Sequence, residues 1–179
     1  MYDVLSLRAH FPALAKGAAH FDGPGGSQVP DVVADTIRDT LTAGVSNRGS
    51  VTPAERCADA AMTLVQEHED GLRRAVEDGL AALPGVRVHS GAGVRTPTLL
   101  LTFDGRDAWK AYEFLAMLDI NAPAGSFYAL EASRYLGLGD SGGLRVGLAP
   151  YSDQRDVDRL LAALAEFLAV PPDSAPVTT

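Results

Sequence analysis

The segment Leu144-Arg145-Val146-Gly147-Leu148 decides the fold class, because apolar residues alternate along it with other residues at a period of two. This alternation predicts a β-strand with one hydrophobic face. The opposite face carries one arginine and small residues, so Gly147 leaves space beside Arg145. After the strand, residues 153–168 repeat apolar side chains at helical spacing, which predicts an amphipathic closing helix.

Further strands and helices alternate upstream of this strand. The apolar patterns predict strands at residues 86–89 and 98–103, a short extended piece at Ile120, and helices at residues 31–43, 53–83, 107–118 and 128–136. Interleaved elements of this kind favour an α+β fold, with a small, mostly antiparallel sheet and helices packed on one side. We expect residues 1–170 to form a single domain and the proline-rich residues 171–179 to be a disordered tail.

Composition and charge exclude several function classes. The chain has 179 residues, 46% of them hydrophobic, and 15 Lys plus Arg against 23 Asp plus Glu give a formal net charge of −8. An acidic surface disfavours nucleic acid and anionic membranes as partners. No run of about 18 apolar residues is present, and the single Cys57 cannot form an internal disulfide. We therefore expect a soluble cytoplasmic protein.

Two blocks of sequence carry a family resemblance. The first comprises His20-Phe21-Asp22-Gly23-Pro24-Gly25-Gly26-Ser27-Gln28-Val29-Pro30, Ser46-Asn47-Arg48-Gly49 and Ala54-Glu55-Arg56. The second comprises Gly125-Ser126-Phe127-Tyr128-Ala129-Leu130, Leu136-Gly137-Leu138-Gly139-Asp140 and Leu144-Arg145-Val146-Gly147-Leu148. The first resembles the N-terminal segment of the cysteine desulfurase-like branch of class V aminotransferases, and the second resembles the small C-terminal domain of that family.

The resemblance implies that a large domain is absent between the two blocks, which meet near residues 60–62. In the family, that domain carries the lysine that binds pyridoxal phosphate, the aspartate that pairs with the ring nitrogen of the cofactor, and the group that stacks on its ring. Lys16 and Lys110 match no family lysine. We therefore expect no bound cofactor and no competent pyridoxal-phosphate enzyme from this chain alone.

Arg145 is the main candidate site residue, since the resemblance implies that it binds a substrate carboxylate. A guanidinium fork matches two carboxylate oxygens. The alternative is an arginine in a surface ion pair. The other candidates for a substrate pocket are Ser126, Tyr128, Asn47 and His20, although the loop around Asn47 is more typical of a polar turn between two helices.

Other chemistry finds little support in the sequence. True cysteine desulfurases carry a persulfide cysteine in the loop where Tyr128 or a close neighbour stands, and Cys57 belongs to the apolar stripe of a helix. The histidines show no metal-ligand spacing. Asp22 follows His20 closely, but nothing else in the sequence supports an acid–base pair.

Three functions remain open. The chain is a binding or assembly module for a small carboxylate, a repurposed enzyme that acts without pyridoxal phosphate on a carboxylate substrate in a pocket at a dimer interface, or a fragment that needs a separate large domain. We expect a homodimer, with the long helix over residues 53–83 as the interface, because its apolar stripe is continuous.

Overall fold

The computed structural model describes residues 3–23, 26–43 and 53–171, the side chains of residues 40–43 and 53–63 excepted. The helices are α1 (Val4–Arg8), α2 (Asp31–Ala43), α3 (Pro53–Ala81), α4 (Ala108–Met117), α5 (Leu130–Tyr135) and α6 (Gln154–Ala169), with a 3-10 turn at Pro12–Lys16. The strands are β1 (Ala19–His20), β2 (Val86–Val88), β3 (Thr98–Phe103), β4 (Ile120–Asn121), β5 (Ala124–Gly125) and β6 (Gly143–Gly147).

Four strands form an antiparallel sheet in the order β2-β3-β6-β5. Within it, Leu99 pairs with Val146 and Leu100 pairs with Arg145. A separate short pair joins β1 and β4 in parallel. The predicted α+β fold with a small antiparallel sheet and helices is confirmed.

The hydrophobic core lies between one face of the sheet and three helices. Burial along β3 alternates, with Leu99, Leu101 and Phe103 buried and the residues between them less so. Against this face pack α3, α4 and α6, through the buried side chains Leu72, Val76, Leu80, Ala111, Leu115, Val157, Leu160 and Leu164. A fully buried aliphatic side chain contributes about 1.5–3 kcal/mol, so this layer is the main stabilising contact of the fold.

Local signals place the ends of two helices. Asp107 caps α4, since its carboxylate accepts a hydrogen bond from the backbone N–H of Trp109 at 2.9 Å. At the start of α6, Asp153 and Asp156 form a reciprocal capping box. The short helix predicted over residues 128–136 begins instead at Leu130, because Phe127 and Tyr128 have φ angles of 51° and 64°, which a right-handed helix cannot contain.

The N-terminal segment docks on the small sheet. The backbone of Phe21 accepts from Gly147 N–H and donates to Asn121 O, so this segment lies between β4 and the end of β6. Arg8 donates to the carboxylate of Asp156 at 2.7 Å and to the carbonyl of Tyr151 at 2.6 Å. These contacts carry His20 and Asp22 to the edge of the sheet.

The apolar side chains along α3 are buried at one end of the helix and exposed at another. Leu72, Val76 and Leu80 are buried in the core of the chain itself, whereas Leu64 is exposed. The expectation that the whole stripe forms a dimer interface is therefore wrong, since its C-terminal half already packs against the core. None of the helices in the described part of the chain combines the length and apolarity needed to cross a membrane.

Candidate functional site

Arg145 lies on the face of β6 that points away from the core. Its neighbours Leu144 and Val146 are fully buried on the opposite face, as the alternation predicts. The Arg145 side chain is only 16% exposed. The face of the sheet that is not covered by the helix layer therefore holds a sheltered guanidinium.

Two groups hold this guanidinium. Its Nη2 donates to Oδ1 of Asp22 at 2.5 Å, and its Cζ lies 3.9 Å from the centre of the Phe127 ring. The Nε–H of Arg145 is buried and has no hydrogen-bond partner among the described residues. The arrangement is a cation that already binds one carboxylate oxygen and retains an unused donor.

Asp22 reaches Arg145 because the chain after β1 pairs with the end of β6. Asp22 forms a parallel bridge with Gly147, and the preceding Phe21 is fully buried in the core. The Asp22 side chain is 46% exposed. Asp22 therefore contacts Arg145 and is also partly exposed to the space next to its own side chain.

That space is a cavity of about 370 Å³. It is lined by His20, Asp22, Gly26, Gln28, Tyr112, Asn121, Ala122, Pro123 and Tyr151. His20 and Asp22 are two residues apart in an extended segment, so their side chains point to the same side. Several polar side chains line the cavity, and among the described lining residues Asp22 is the one carboxylate, with no lysine or arginine beside it.

His20 is a neutral hydrogen-bond donor in this cavity. Burial lowers its pKa, an effect that the carboxylate of Asp156 opposes and the guanidinium of Arg8 reinforces. Its Nδ1 lies 3.1 Å from the side-chain amide nitrogen of Asn121, which is a donor, so the proton of the imidazole resides on Nε2. This Nε2 is buried and has no partner among the described residues.

Tyr151 forms another wall of the cavity. Its ring packs against Phe11 with centroids 4.9 Å apart, and its hydroxyl accepts a hydrogen bond from the backbone N–H of Gln28 at 3.4 Å. Burial raises the pKa of Tyr151, so the hydroxyl keeps its proton. The wall therefore presents neutral polar groups to a ligand.

The structure brings only some of the predicted site residues together. Arg145 and His20 both lie beside Asp22, although only His20 lines the cavity. Tyr128 is fully exposed, and Ser126 lies outside the cavity, with its carbonyl accepting from Ala129 N–H at 2.9 Å. Asn47 lies outside the described residues, as does the side chain of Cys57.

Sequence reasoning missed several contributors, namely Asp22 as a partner of Arg145, Phe127, Asn121 and Tyr151. A sequence signal does place Asp22 beside the candidate His20, since residues two apart in a strand share a face, but it does not identify Asp22 as the partner of Arg145. For Asn121 and Tyr151 only the tertiary contacts reveal the role.

The lysines present do not fit pyridoxal phosphate. An internal aldimine needs a lysine amine that readily loses its proton. Lys110 is exposed on α4, and its hydrogen bond to Glu113 at 2.8 Å raises the pKa of the ammonium instead. Lys16 is exposed at the end of the 3-10 turn, and neither lysine lines the cavity.

A second cavity of about 280 Å³ lies elsewhere and is lined by Gly23, Ser27, Glu69, Thr96, Pro97, Thr98, Leu148, Ala149 and Pro150. Burial, followed by the charge of Asp70, raises the pKa of Glu69 to about 7. Among the described residues, no cluster of three or more His, Cys, Asp or Glu side chains is arranged to hold a metal ion.

Comparison with known proteins gives the family. The model of the family described as aminotransferase class-V matches residues 49–160, which is more than half of the chain. The chain therefore belongs to the class-V aminotransferase family. A relative in Mycobacterium tuberculosis, described as an uncharacterized protein, is 33% identical over 84 residues, which cover 47% of this chain and 19% of that protein.

Solved structures agree on the fold. The cysteine desulfurase CsdA of Escherichia coli is 30% identical with a TM-score of 0.53, covering 58% of this chain and 25% of that one. A NifS-like protein of Rickettsia africae is 24% identical with a TM-score of 0.50, covering 57% and 28%. The chain thus spans about a quarter of the length of these proteins.

Proposed function

We propose that this chain is a carboxylate-binding module that works without pyridoxal phosphate and without the large domain of its family. The observation that carries the proposal is the guanidinium of Arg145, sheltered on the open sheet face and bound to a carboxylate oxygen of Asp22 at 2.5 Å. The resemblance to cysteine desulfurases supports a carboxylate-binding role for the arginine of this strand. The guanidinium that donates to the carboxylate of Asp22 can donate to the carboxylate of a ligand in the same way.

The lysines support the cofactor-independent part of this proposal. A protonated, exposed Lys110 in an ion pair with Glu113 has the wrong environment for an amine that must act as a nucleophile. The cavity beside Asp22 offers neutral donors from His20 and Tyr151 instead. Such groups favour recognition of a small polar ligand through hydrogen bonds.

Substitution of Arg145 tests the proposal. In calorimetric titrations with small amino and keto acids, we expect Arg145→Lys to weaken binding because it keeps the charge but loses the planar fork. Arg145→Ala should weaken binding further, by about ten- to a hundredfold, the equivalent of a charge-assisted hydrogen bond of about 1.5–3 kcal/mol.

The matched control is Arg134→Ala, which removes an arginine of α5 from an exposed ion pair with Asp140. It should leave the affinity unchanged. Failure of the wild-type protein to bind any of these acids, or equal affinities for wild type and Arg145→Ala, would exclude the carboxylate site.

The small share of its relatives that this chain covers favours a second candidate function, that of a fragment that needs a separate large domain. This chain aligns with only 25% of the length of the Escherichia coli cysteine desulfurase. A fragment that completes a separately encoded large domain would have the same coverage. Stable co-purification with such a domain, together with pyridoxal-phosphate absorbance that neither chain gives alone, would favour this candidate over an independent module.

We also propose that the module is cytoplasmic and forms a homodimer. The cytoplasmic location rests on the sequence, which has a single cysteine and therefore no internal disulfide. The dimer rests on exposed apolar side chains, among them Val33 and Ile37 of α2 and Leu64 of α3.

A further inference from the structure

We propose that the second cavity binds a small primary amine as its ammonium ion, and that the carboxylate of Glu69 pairs with the positive charge. The ligand class is a free alkylammonium compound with one cationic head and a short apolar body. The two cavities share no described lining residue, so this inference does not depend on the proposed carboxylate site.

Several parts of the chain build the cavity around Glu69 of α3. The segments before β3 and after β6 face this residue, and the N-terminal segment completes the wall. The backbone N–H of Leu148 donates to the carbonyl of Pro97 at 3.0 Å and so joins two of these segments. Arg95 pairs with Glu77 and thereby ties the segment before β3 to α3. The fold therefore holds the walls of this cavity of about 280 Å³ in place.

The described walls are poor in free N–H donors. Pro97 and Pro150 line the cavity and have no backbone N–H. Three other backbone N–H groups of the wall already donate within the chain, those of Thr98, Leu148 and Ala149. No lysine, arginine or histidine lies among the described lining residues. An anionic ligand needs such donors, so the walls disfavour an anion.

Acceptors and apolar groups make up the rest of the same walls. Glu69 supplies carboxylate oxygens, and three hydroxyl groups can also accept, those of Ser27, Thr96 and Thr98. An ammonium group has three donors and no acceptor, so it matches these groups. The side chain of Leu148 and the two proline rings offer apolar surface to the methylene groups of a short alkyl chain.

The partly buried carboxylate of Glu69 lacks a cation of its own. No described residue forms an ion pair or hydrogen bond with it, since Arg73 of the same helix pairs with Asp70 at 3.3 Å and Glu77 at 2.7 Å. Burial, followed by the charge of Asp70, raises the pKa of Glu69 to about 7. A bound ammonium ion would compensate this sheltered negative charge and favour the ionised form.

The other charged or titratable groups on the surrounding elements have partners within the chain. They are Asp22 with Arg145, Arg95 with Glu77, Asp153 and Asp156 with Arg8, and His68 with the carbonyl of Ser152. Glu69 is the one titratable group among the described lining residues. An alkylammonium ion keeps its proton up to about pH 10, so we assign any titration of binding between pH 6 and pH 8 to Glu69.

Calorimetric titration with n-butylammonium, 1-butanol and butyrate tests the inference, because the three share a four-carbon skeleton and differ in charge. At pH 8, wild-type protein should bind butylammonium at least about tenfold more tightly than butanol, and butyrate no more tightly than butanol. Glu69→Gln keeps the shape and removes the charge, so it should weaken butylammonium binding about tenfold. Glu67→Gln, at an exposed position of the same helix, is the matched control and should behave as wild type.

The pH dependence identifies the group that pairs with the amine. Since only the ionised carboxylate attracts the ammonium ion, the affinity of wild type should fall about tenfold between pH 8 and pH 6, as expected for a pKa of about 7. Binding at pH 6 should release nearly one proton, measured from the heats in two buffers of different ionisation enthalpy. Both effects should disappear in Glu69→Gln.

Three outcomes would overturn the amine site: equal affinities of wild type for butylammonium and butanol, no detectable butylammonium binding, or an affinity that Glu69→Gln leaves unchanged. A pH dependence that persists in Glu69→Gln would overturn the role of Glu69. The titrations of Arg145 variants with amino and keto acids test the carboxylate site separately. Thermal unfolding verifies that Glu69→Gln is folded, and Glu69→Leu, which also removes the charge, replaces it if it is not.

Discussion

At the scale of single residues, Glu69 should make stability depend on pH. Its carboxyl group lies at the second cavity, where burial and then Asp70 raise its pKa to about 7 from an ordinary value of 4.5. The folded protein therefore holds this proton up to about pH 7, whereas the unfolded chain releases it near pH 4.5. The folded state binds more protons in this window, so the free energy of unfolding falls as the pH rises through it.

Replacing Glu69 with Gln removes this ionisation. Since the group is only about half sheltered, we expect Glu69→Gln to raise the free energy of unfolding at pH 8 by about 1–2 kcal/mol. Urea unfolding at pH 5 and pH 8 measures the effect, and the variant should lose stability less steeply than wild type between these values. The exposed neighbour Glu67 supplies the control variant Glu67→Gln. Equal pH profiles for wild type and Glu69→Gln would contradict the prediction.

The direction of Arg145 was predictable from sequence, but its partner was not. Strand alternation is a local property, and it places Arg145 opposite Leu144 and Val146 without further information. Asp22 lies 123 residues earlier in the chain. Its contact depends on the docking of the N-terminal segment between β4 and β6, which no local pattern specifies.

At the scale of secondary-structure elements, Gly142 controls the pairing of β5 with β6. Its φ angle is 71°, and a Cβ there would overlap the backbone carbonyl of Gly125. Because both the backbone conformation and the adjacent strand would have to change, we expect Gly142→Ala to lower the free energy of unfolding by about 3 kcal/mol or more. Chemical denaturation measures this difference.

Gly71 is the matched control on α3. A Cβ at this position meets no atom within 4 Å, and the residue lies in the interior of a helix. Gly71→Ala should therefore raise the free energy of unfolding by about 0.5–1 kcal/mol, because alanine is the better helix former. A destabilisation by Gly142→Ala no larger than 1 kcal/mol would show that β5 shifts easily.

The sequence predicted the helices correctly where the spacing of apolar residues is regular. The apolar spacing predicts α4 and α6 closely, and in the structure Asp107 and Asp153 cap these two helices. The region before α5 differed, because the left-handed conformations of Phe127 and Tyr128 shorten the helix. Phe127 stacks on Arg145, so the packing around the guanidinium outweighs the helical pattern there.

At the scale of the whole molecule, α2 is the element that most needs a partner. All the described side chains of this 13-residue helix, residues 31–39, are exposed. Helices shorter than about 12–15 residues are marginal in water, and their stability in proteins comes from packing an apolar face. The apolar α2 face, defined by Val33 and Ile37, is exposed on the single chain. The sequence indicates this face by its four-residue spacing but not that the other described residues leave it uncovered.

We expect a second copy of the chain to cover the apolar α2 face, since an isologous contact buries the same apolar side chains on both subunits. Light scattering at high micromolar concentration should give the mass of a dimer for wild type. The double variant Val33→Glu, Ile37→Glu should give the mass of a monomer, because two charges on each subunit would have to be buried against each other. Val94 is an exposed valine on a loop between β2 and β3, so Val94→Glu is the matched control and should remain dimeric. A monomeric wild type at this concentration would contradict the dimer, and a dimer that survives the double variant would exclude α2 as its interface.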